Sequence, residues 1–544
     1  MIATDGWNFG DVFEVIAEEL PDAPAQAQGD RRMTWFEFDR RADGVARALI
    51  DEANADKQDK VAIYLYNCPE YIETVFACMK AGLVPVNTNY RYGDEELLYL
   101  WDNADAIAVV FHGVFAERIE PLREKAAKVR LWLWVDDCSG DCPDWAVPYE
   151  EPAELSKPGD RTIAPWGRSG KDLYMLYTGG TTGMPKGVMW QQDDLYRVFV
   201  MTTKIDPLEP DLDHVRNRIK EPGPVCTPAC PLMHGTGAFV SYQAMMLGGS
   251  IVTLEGRHFD VVEFLDTIER EKVASTAIVG DAFAKPILRA LDTEPDRWDI
   301  SSLKMITSSG VMWSEAVKEG LLKHHPMMML VDAFSSSEAL GMGQSVSTAG
   351  GAAKTAKFML GERTRVVTDE GRDVVPGSGE IGVVALKGPN PIGYYKDPDK
   401  TAATFREIDG ERYSIPGDYA MVEADGSLKL LGRGSVCINT GGEKVYPEEV
   451  EEVIKELPEA LDAVIVGVPD DRFGEAIVAL VEPRDQSEIG EAAVIAHVKD
   501  RLAHYKAPKR VLAIDSIGRS PAGKVDYKGL RSRALEELGI SDGG

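Results

Sequence analysis

The sequence has few cysteines. Seven occur among 544 residues, an odd and sparse set, whereas a disulfide framework needs an even and denser one. Cys138/Cys142 and Cys226/Cys230 each share a four-residue step, but zinc ligands are usually closer together and no histidine pair completes either set. We therefore expect reduced thiols that hold neither a disulfide framework nor a metal.

Positive charge and long apolar runs are also scarce. The 59 Lys and Arg against 89 Asp and Glu give a formal charge of −30. This balance argues against a nucleic-acid partner and against a basic membrane-surface protein, because both bind phosphates through Lys and Arg. The apolar run nearest to a spanning helix, residues 75–86, contains Lys80 and falls short of roughly 18 residues. The first residues lack a signal-peptide pattern, so the sequence predicts a cytoplasmic protein without an integral membrane segment.

Strand and helix patterns alternate over the first 430 or so residues. Apolar runs such as residues 61–65 are followed by segments with helical spacing of apolar residues, a pattern typical of βαβ units with parallel strands. After Leu431 the pattern changes to a compact α+β unit that includes a helix opened by Pro447. We predict an α/β fold with a large N-terminal multi-sheet body, residues 1–432, and a small C-terminal domain, residues 433–544.

Charge is unevenly distributed in the C-terminal part. Residues 499–533 hold ten Lys or Arg and three Asp or Glu. Such a stretch is either a solvated basic face or part of a lid that meets polyanionic ligands. The motifs described next favour the lid.

The strongest local motif is a loop at residues 177–187 that is rich in Gly and Thr. Its glycines let backbone amides approach a ligand, its threonines add donors, and Lys186 adds positive charge. It is not a Walker loop, because Pro185 precedes Lys186 and no Ser or Thr follows. The predicted phosphate-binding residues are Thr178, Gly179, Gly180, Thr181, Thr182, Gly183 and Lys186.

This loop resembles the phosphate-binding signature of the adenylate-forming superfamily, which includes acyl-CoA synthetases, firefly luciferase and peptide-synthetase adenylation domains. Other motifs of the superfamily follow in order, so that the resemblance covers the chain from about Thr34 to Arg531. It implies a large ATP- and acyl-binding body with a mobile C-terminal lid. It also implies that ATP, Mg²⁺ and coenzyme A are used.

Residues 332–338 resemble the superfamily's aromatic-Gly-x-Thr-Glu motif. The resemblance implies that Phe334 packs against adenine, that Ser337 holds a phosphate oxygen and that Glu338 holds Mg²⁺. Ser335 stands where Gly is usual and Ser337 where Thr is usual, so one hydroxyl is kept. The other residues that the resemblance assigns to the nucleotide are Ser309, Gly310, Asp332, Asp418 and Arg433, the last two toward the ribose.

Three C-terminal segments resemble the moving parts of the superfamily. Ser435 takes the hinge position, where a small residue can absorb a backbone change. Residues 439–451 resemble a segment of CoA-forming members, which implies that Gly441, Gly442 and Lys444 contact CoA. Residues 519–524 resemble the catalytic-lysine motif, in which Lys524 bridges the substrate carboxylate and the α-phosphate.

A set of small, Met and Phe residues resembles the acyl pocket, and this mixture suits a bulky apolar acid. His234, in residues 231–235, lies at the position of the pocket mouth, where it is either a gate or a packed structural histidine. The predicted wall residues are Phe239, Asp281, Phe283, Ser308 and Gly341.

The resemblance implies a two-step reaction. A carboxylate attacks the α-phosphorus of ATP to give an acyl-adenylate and pyrophosphate, and the CoA thiol then gives acyl-CoA and AMP. Such catalysis is mainly positioning and electrostatics. The implied catalytic residues are Lys524, Glu338, Lys186 and Thr178.

Four motif variants suggest the class of acid. The Thr-Gly-Gly-Thr-Thr-Gly loop and residues 280–286, 413–418 and 519–524 together resemble the bacterial branch of fatty-acyl and steroid side-chain CoA ligases. The leading hypothesis is an acyl-CoA ligase of fatty acid metabolism or steroid catabolism. Three alternatives stay open: an aryl- or short-chain-acid ligase of the same fold, a carrier-protein-loading enzyme, and a catalytically weak adenylate-binding regulatory protein. A homodimer is also left open.

Overall fold

The chain folds into two units. The computed structural model describes residues 5–155, 161–180, 183–368, 370–434, 437–440, 443–470, 474–484, 487–520 and 525–540. One unit comprises residues 1–355 and 387–414, and the other comprises residues 356–386 and 415–544. Residues 356–386 and 415–432, which were predicted to belong to the N-terminal body, therefore group by their contacts with the C-terminal part. This grouping does not test the predicted hinge near residues 433–435, which stays a prediction.

The first unit contains an eight-stranded sheet. Its N-terminal strands are parallel and joined by helices, which confirms the predicted βαβ units. Strand Lys60–Tyr64 is almost entirely buried, as expected for a parallel strand covered on both faces. In sheet order the strands are Gly393–Tyr394, Gly183–Gln191, Leu173–Gly180, Val84–Asn87, Lys60–Tyr64, Ala106–His112, Leu131–Val135 and Val147–Pro148.

A further sheet of the same unit is parallel at its centre. The parallel part ends where strand Met329–Ser336 turns back into the antiparallel strand Ala339–Ser347. A hairpin of this unit pairs Phe405–Ile408 with Glu411–Ser414. In sheet order the strands up to that turn are Arg31–Thr34, Pro24–Gln28, Ser250–Thr253, Val225–Pro228, Ser275–Ile278, Met305–Ser309, Met329–Ser336 and Ala339–Ser347.

The helices of the first unit begin and end at expected signals. Trp35–Asp51 begins with a capping box between Thr34 and Glu37, and Pro69–Ala81 ends at Gly82, whose φ is +64°. The other helices are Phe9–Glu19, Asp94–Asn103, Ala116–Ile119, Glu150–Leu155, Gln192–Thr203, Leu212–Arg218, Gly235–Met246, Val261–Glu271, Asp281–Thr293, Glu315–His324 and Pro398–Thr404.

Three N-terminal helices are joined by a buried ion cluster. The ammonium of Lys80, whose side chain is fully buried, lies 3.2 Å from Glu14 Oε1, 2.5 Å from Asp39 Oδ1 and 3.0 Å from Asp43 Oδ1. A buried cation needs such partners, because an unpaired charge in the interior is very costly. The cluster therefore fixes how these helices pack over the sheet.

The second unit contains strands of two sheets and the predicted C-terminal α+β elements. One set of neighbouring strands, part of a larger sheet, runs Lys357–Leu360, Ser427–Arg433, Asp418–Val422, Ile381–Lys387 and Thr364–Val367. The other runs Glu443–Val445, Ile438–Thr440, Gly474–Pro483 and Ala460–Asp470, with Arg510–Ala513 also paired to Gly474–Pro483. The helices are Pro447–Lys455, Glu491–Arg501 and Tyr527–Leu538. In the described part of the chain, no helix is both long and apolar enough to cross a membrane.

Candidate active site

The Gly- and Thr-rich motif is the end of a β-hairpin. Strands Leu173–Gly180 and Gly183–Gln191 are antiparallel, and their register places Thr178 opposite Lys186 and Gly180 opposite Gly183. Residues 177–187 were predicted as a loop, whereas the first strand continues into this motif as far as Gly180. Gly179 also lies in this strand, and Thr181 and Thr182 lie outside the described residues. The hairpin thus brings the two predicted catalytic residues of the motif onto neighbouring strands.

Lys186 has an ion-pair partner that the sequence analysis missed. Its Nζ lies 2.5 Å from Oδ2 of Asp397, and the side chains are 40 % and 28 % exposed. The hydrogen bond from Lys186 lowers the pKa of Asp397, because it stabilises the charged carboxylate. The other carboxylate oxygen, Oδ1, accepts a hydrogen bond from Lys400 N at 2.9 Å and caps the helix Pro398–Thr404. The signal available in the sequence was an Asp-Pro pair, which is typical of a helix start.

The motif at residues 332–338 also lies in a hairpin, with Ser337 and Glu338 in the turn between strands Met329–Ser336 and Ala339–Ser347. Register pairing sets Asp332 beside Ser308 and Ala333 beside Ser309 on the neighbouring parallel strand. Gly310, whose φ of +93° favours glycine, directly follows that strand. The predicted nucleotide residues Ser309, Gly310 and Asp332 are therefore brought together at adjacent strand ends.

Two members of this motif have other neighbours than the sequence suggested. Phe334 is buried, at 7 % exposure, opposite Gly343 in the hairpin. The Ser335 hydroxyl, which stands where the superfamily has glycine, accepts a hydrogen bond from Gly341 N at 3.0 Å. Gly341, predicted as a pocket wall, has a φ of +83° and thus helps to shape this hairpin. Stacking of Phe334 on adenine stays a prediction.

Glu338 is held on one side and open on the other. Its Oε1 accepts a hydrogen bond from the Tyr394 hydroxyl at 2.8 Å, and its backbone carbonyl accepts one from Ser414 Oγ at 2.7 Å. Within the described residues, Oε2 has no hydrogen-bond partner. Mg²⁺ is commonly bound by one or two carboxylates together with substrate phosphates, so a half-buried carboxylate with one open oxygen fits this role. No group of three or more His, Cys, Asp and Glu in the described residues is arranged to hold a metal by itself.

One contact joins the two hairpins. Trp190, on the strand that carries Lys186, donates its indole N–H to the carbonyl of Ser337 at 2.9 Å. The tryptophan side chain is fully buried, and its contact with Ser337 is partly buried. The phosphate hairpin and the Glu338 hairpin therefore have a fixed relation within one unit, although their motifs are about 150 residues apart.

The predicted pocket residues of the first unit other than glycine are aromatic or polar, and the aromatic ones lie in or beside the core. His234 is half-buried directly before the helix Gly235–Met246. Phe239, on that helix, packs in an aromatic cluster with ring centroids 5.9 Å from Tyr174 and 5.6 Å from Phe199. Phe283 is likewise buried, and its ring lies 4.9 Å from Phe259. Both phenylalanines thus contribute to the core, and their contact with an acid stays a prediction.

Hydrogen bonds connect the other predicted wall segments. The buried Ser308 hydroxyl accepts a hydrogen bond from Gly280 N at 2.9 Å. Asp281 accepts two from Ser314, from N at 3.0 Å and from Oγ at 3.1 Å, and lies 3.3 Å from Lys285 Nζ. These polar groups are therefore engaged with the protein, which favours a structural contribution to the wall over direct contact with an apolar acid.

The second unit contains the predicted ribose-binding pair. Asp418, which is 6 % exposed, lies opposite Arg433 in the register of two antiparallel strands. Lys444 lies opposite Asn439 in the short hairpin that precedes helix Pro447–Lys455. The predicted residues Ser435, Gly441, Gly442 and Lys524 lie outside the described residues.

Part of the basic stretch, residues 499–533, forms ion pairs with carboxylates outside the stretch. Arg519 pairs with Asp462 at 2.5 Å and Lys506 with Glu449 at 2.5 Å. Further pairs are Arg501–Glu456, Arg510–Glu491 and Arg533–Glu537. The excess charge that suggested a polyanion-binding lid is therefore smaller at the surface than in the sequence.

Comparisons with known proteins match almost the whole chain. The AMP-binding enzyme family matches residues 13–395, and the AMP-binding enzyme C-terminal domain matches residues 449–524. A medium/long-chain-fatty-acid–CoA/3-oxocholest-4-en-26-oate–CoA ligase of Mycolicibacterium smegmatis is 39 % identical over 531 residues, covering 96 % of this chain and 95 % of the relative. A 3-oxocholest-4-en-26-oate–CoA ligase of Rhodococcus rhodochrous is 38 % identical with the same coverage.

A solved structure shares the fold. The anthranilate CoA ligase AuaEII in complex with anthranoyl-AMP has a TM-score of 0.82 against this chain at 20 % identity, with 98 % of both chains covered. The predicted fold class, a large α/β body with a small C-terminal domain, is confirmed.

Proposed function

The chain belongs to the AMP-binding enzyme family, and on that premise we propose that it is an ATP-dependent acyl-CoA ligase. Its substrate would be a bulky apolar acid, either a medium- or long-chain fatty acid or a steroid side-chain acid. One observation carries the proposal: relatives that are ligases of these acids align with 96 % of the chain at 38–39 % identity. ATP and coenzyme A would be the other substrates.

The first unit supplies the groups for acyl-adenylate formation. Lys186 and Thr178, on neighbouring strands of one hairpin, would contact the phosphates of ATP through a positive charge and a hydroxyl. The half-buried carboxylate of Glu338 would hold Mg²⁺, which when bound reduces the negative charge of the phosphates. Attack of the substrate carboxylate on the α-phosphorus forms the new P–O bond as pyrophosphate leaves. The substrate carboxylate and the α-phosphate are both anions and repel each other as they meet. Positive charge that is already in place therefore lowers the activation barrier of this step.

The remaining assignments concern the C-terminal part of the chain. Asp418 and Arg433 would hold the ribose, and Gly441, Gly442 and Lys444 would contact CoA as its thiol displaces AMP from the acyl-adenylate. Lys524 would act only in the first step, and Ser435 would be the hinge. These roles rest on the family resemblance of the motifs that contain these residues.

A CoA-dependent AMP-release assay tests the proposal. The purified chain is given MgATP, CoA and a panel of straight-chain acids from short to long, aryl acids, and steroid acids with side chains of different lengths. We expect AMP and acyl-CoA in equal amounts with long-chain or steroid acids. Preference for aryl or short-chain acids would keep the ligase chemistry and overturn the substrate class. ATP binding without AMP release from any acid would instead support a regulatory adenylate-binding protein.

A further inference from the structure

Residues 393–397 form a short segment that the sequence analysis did not assign to the site. Gly393 and Tyr394 pair with Met189 and Val188 on the strand that carries Lys186. The backbone N–H of Tyr395 also donates to Gly187 O at 2.8 Å. The segment is therefore fixed against the phosphate hairpin by its backbone, independently of its side chains.

The carboxylate of Asp397, at the end of this segment, has two separate tasks. Oδ1 accepts from Lys400 N at 2.9 Å and caps a helix, while Oδ2 contacts Lys186 Nζ at 2.5 Å. The backbone carbonyl of Asp397 accepts from Thr401 N at 3.0 Å and from Thr401 Oγ1 at 2.7 Å. Asp397 is thus held at a helix start, whereas Lys186 is a long and partly exposed side chain.

We propose that Asp397 is an internal counter-ion of Lys186 that occupies the lysine ammonium in the nucleotide-free protein and is replaced there by the phosphates of ATP. The inference rests on the proposed function, in which Lys186 contacts those phosphates. A lysine ammonium is a compact charge on a flexible stem, so it can turn from one anion to another. Asp397 is held by its helix, and its negative charge stays beside the phosphate site. It therefore opposes ATP binding both by competing for Lys186 and by repelling the phosphates.

The substitution Asp397→Asn separates the two tasks of this side chain. Asparagine is as good a helix cap as aspartate, so the Oδ1 contact with Lys400 N is kept while the negative charge is removed. A partly exposed ion pair contributes little, so we expect the Kd for MgATP to fall by about three- to tenfold. Isothermal titration calorimetry measures this Kd, and titration with adenosine, which has no phosphates, should show no change.

Asp105→Asn is the matched control. Asp105 accepts hydrogen bonds from the Tyr395 hydroxyl at 2.7 Å and from Lys396 Nζ at 2.8 Å, so it contacts the same segment but not Lys186. Its φ is +55°, a conformation that asparagine tolerates well. The control removes one negative charge, as Asp397→Asn does, and should leave the Kd for MgATP unchanged.

A double-mutant cycle with Lys186→Met assigns the effect. In the Lys186→Met background, Asp397→Asn should change the binding free energy of MgATP by less than half as much as it does in the wild-type protein. The reason is that Asp397 and the phosphates no longer compete for the lysine ammonium. If Asp397→Asn leaves ATP binding unchanged or weakens it, or if its effect is the same without Lys186, the counter-ion proposal is overturned. Wild-type protein that bound no ATP would overturn the proposed function as well, so the two failures differ.

Discussion

Two neighbouring tyrosines serve different carboxylates. The Tyr394 hydroxyl donates to Glu338 at 2.8 Å, and the Tyr395 hydroxyl donates to Asp105 at 2.7 Å. Only the first of these carboxylates belongs to the candidate site. A hydrogen-bonded partner behind a metal-binding carboxylate fixes its orientation, so Tyr394 would be a positioning residue of Glu338 if Glu338 holds Mg²⁺ as proposed.

Tyr394→Phe should weaken the activation of the enzyme by Mg²⁺. Removing the hydroxyl frees Glu338 to rotate and removes one donor that stabilises its charge, and loss of such partners costs about 10- to 100-fold in metal affinity. The measurement is AMP release as a function of Mg²⁺ at saturating ATP, with the half-activating concentration as the result.

Tyr395→Phe is the control for this prediction. It removes a similar hydroxyl from the next residue, and that hydroxyl donates to Asp105, a carboxylate outside the candidate site. It should leave the half-activating Mg²⁺ concentration unchanged. Equal shifts in the two variants would show that the hydroxyls only stabilise the segment, and Tyr394 would lose its assigned role.

At the scale of elements, the sequence was a better guide to the positions of the motifs than to their conformation. Both nucleotide motifs were found from residue types, yet each forms a β-hairpin whose register decides the contacts, such as Thr178 beside Lys186. In a hairpin the register is fixed by the type and length of the turn, which residue types alone do not give. Asp397 could not be connected to Lys186 from the sequence for a different reason, because the two residues are 211 positions apart.

Helix Pro447–Lys455 is fixed to its neighbours by a buried carboxylate. Oε1 of Glu451, which is 3 % exposed, accepts hydrogen bonds from Ile465 N at 2.9 Å and from the Tyr527 hydroxyl at 3.2 Å. Burial raises the pKa of Glu451 to about 7. The folded chain therefore favours the protonated carboxyl group of Glu451. The stability that this preference contributes is fully present below the unfolded-state pKa and is lost as the pH rises through about 7.

Glu451→Gln should therefore make stability less dependent on pH. Glutamine keeps an oxygen acceptor for both donors and never ionises, so we expect it to stabilise the chain at about pH 8, by roughly 3 kcal/mol at most, and to have little effect at about pH 5. Urea unfolding of the full chain at both pH values measures this. Glu456→Gln, an exposed position on the surface, is the control; a pH effect as large there would contradict the assignment to Glu451.

At the scale of the whole molecule, the sequence predicted the large α/β body, the small C-terminal part and the family. Motif order along the chain is enough for that conclusion, because each motif marks one element of a shared fold. The composition of residues 499–533 does not show which of their charges are paired, and some of their cations form ion pairs in the folded unit, such as Arg519 with Asp462. Pairing is a property of the folded unit and is not visible in composition.

The proposed roles divide the residues between the two steps of the reaction, and this division can be tested. Lys524→Ala should reduce adenylate formation by at least about 100-fold, because a cation between two reacting anions lowers their repulsion. The same variant should keep most of its rate of acyl-CoA formation from preformed acyl-adenylate. Pyrophosphate release measures the first step, and CoA consumption with synthetic acyl-adenylate measures the second.

Gly441→Trp supplies the converse variant. A large side chain at a residue proposed to contact CoA should slow CoA consumption from preformed acyl-adenylate, while pyrophosphate release in the first turnover stays near the wild-type rate. The two substitutions together should therefore show opposite patterns in the two assays. Equal loss of both half-reactions in Lys524→Ala would remove its assigned role, and a slowed first step with normal CoA consumption in Gly441→Trp would place the CoA contact elsewhere. Opposite patterns would mean that the chain uses separate residues for the two steps, as we expect if the C-terminal part rotates near Ser435.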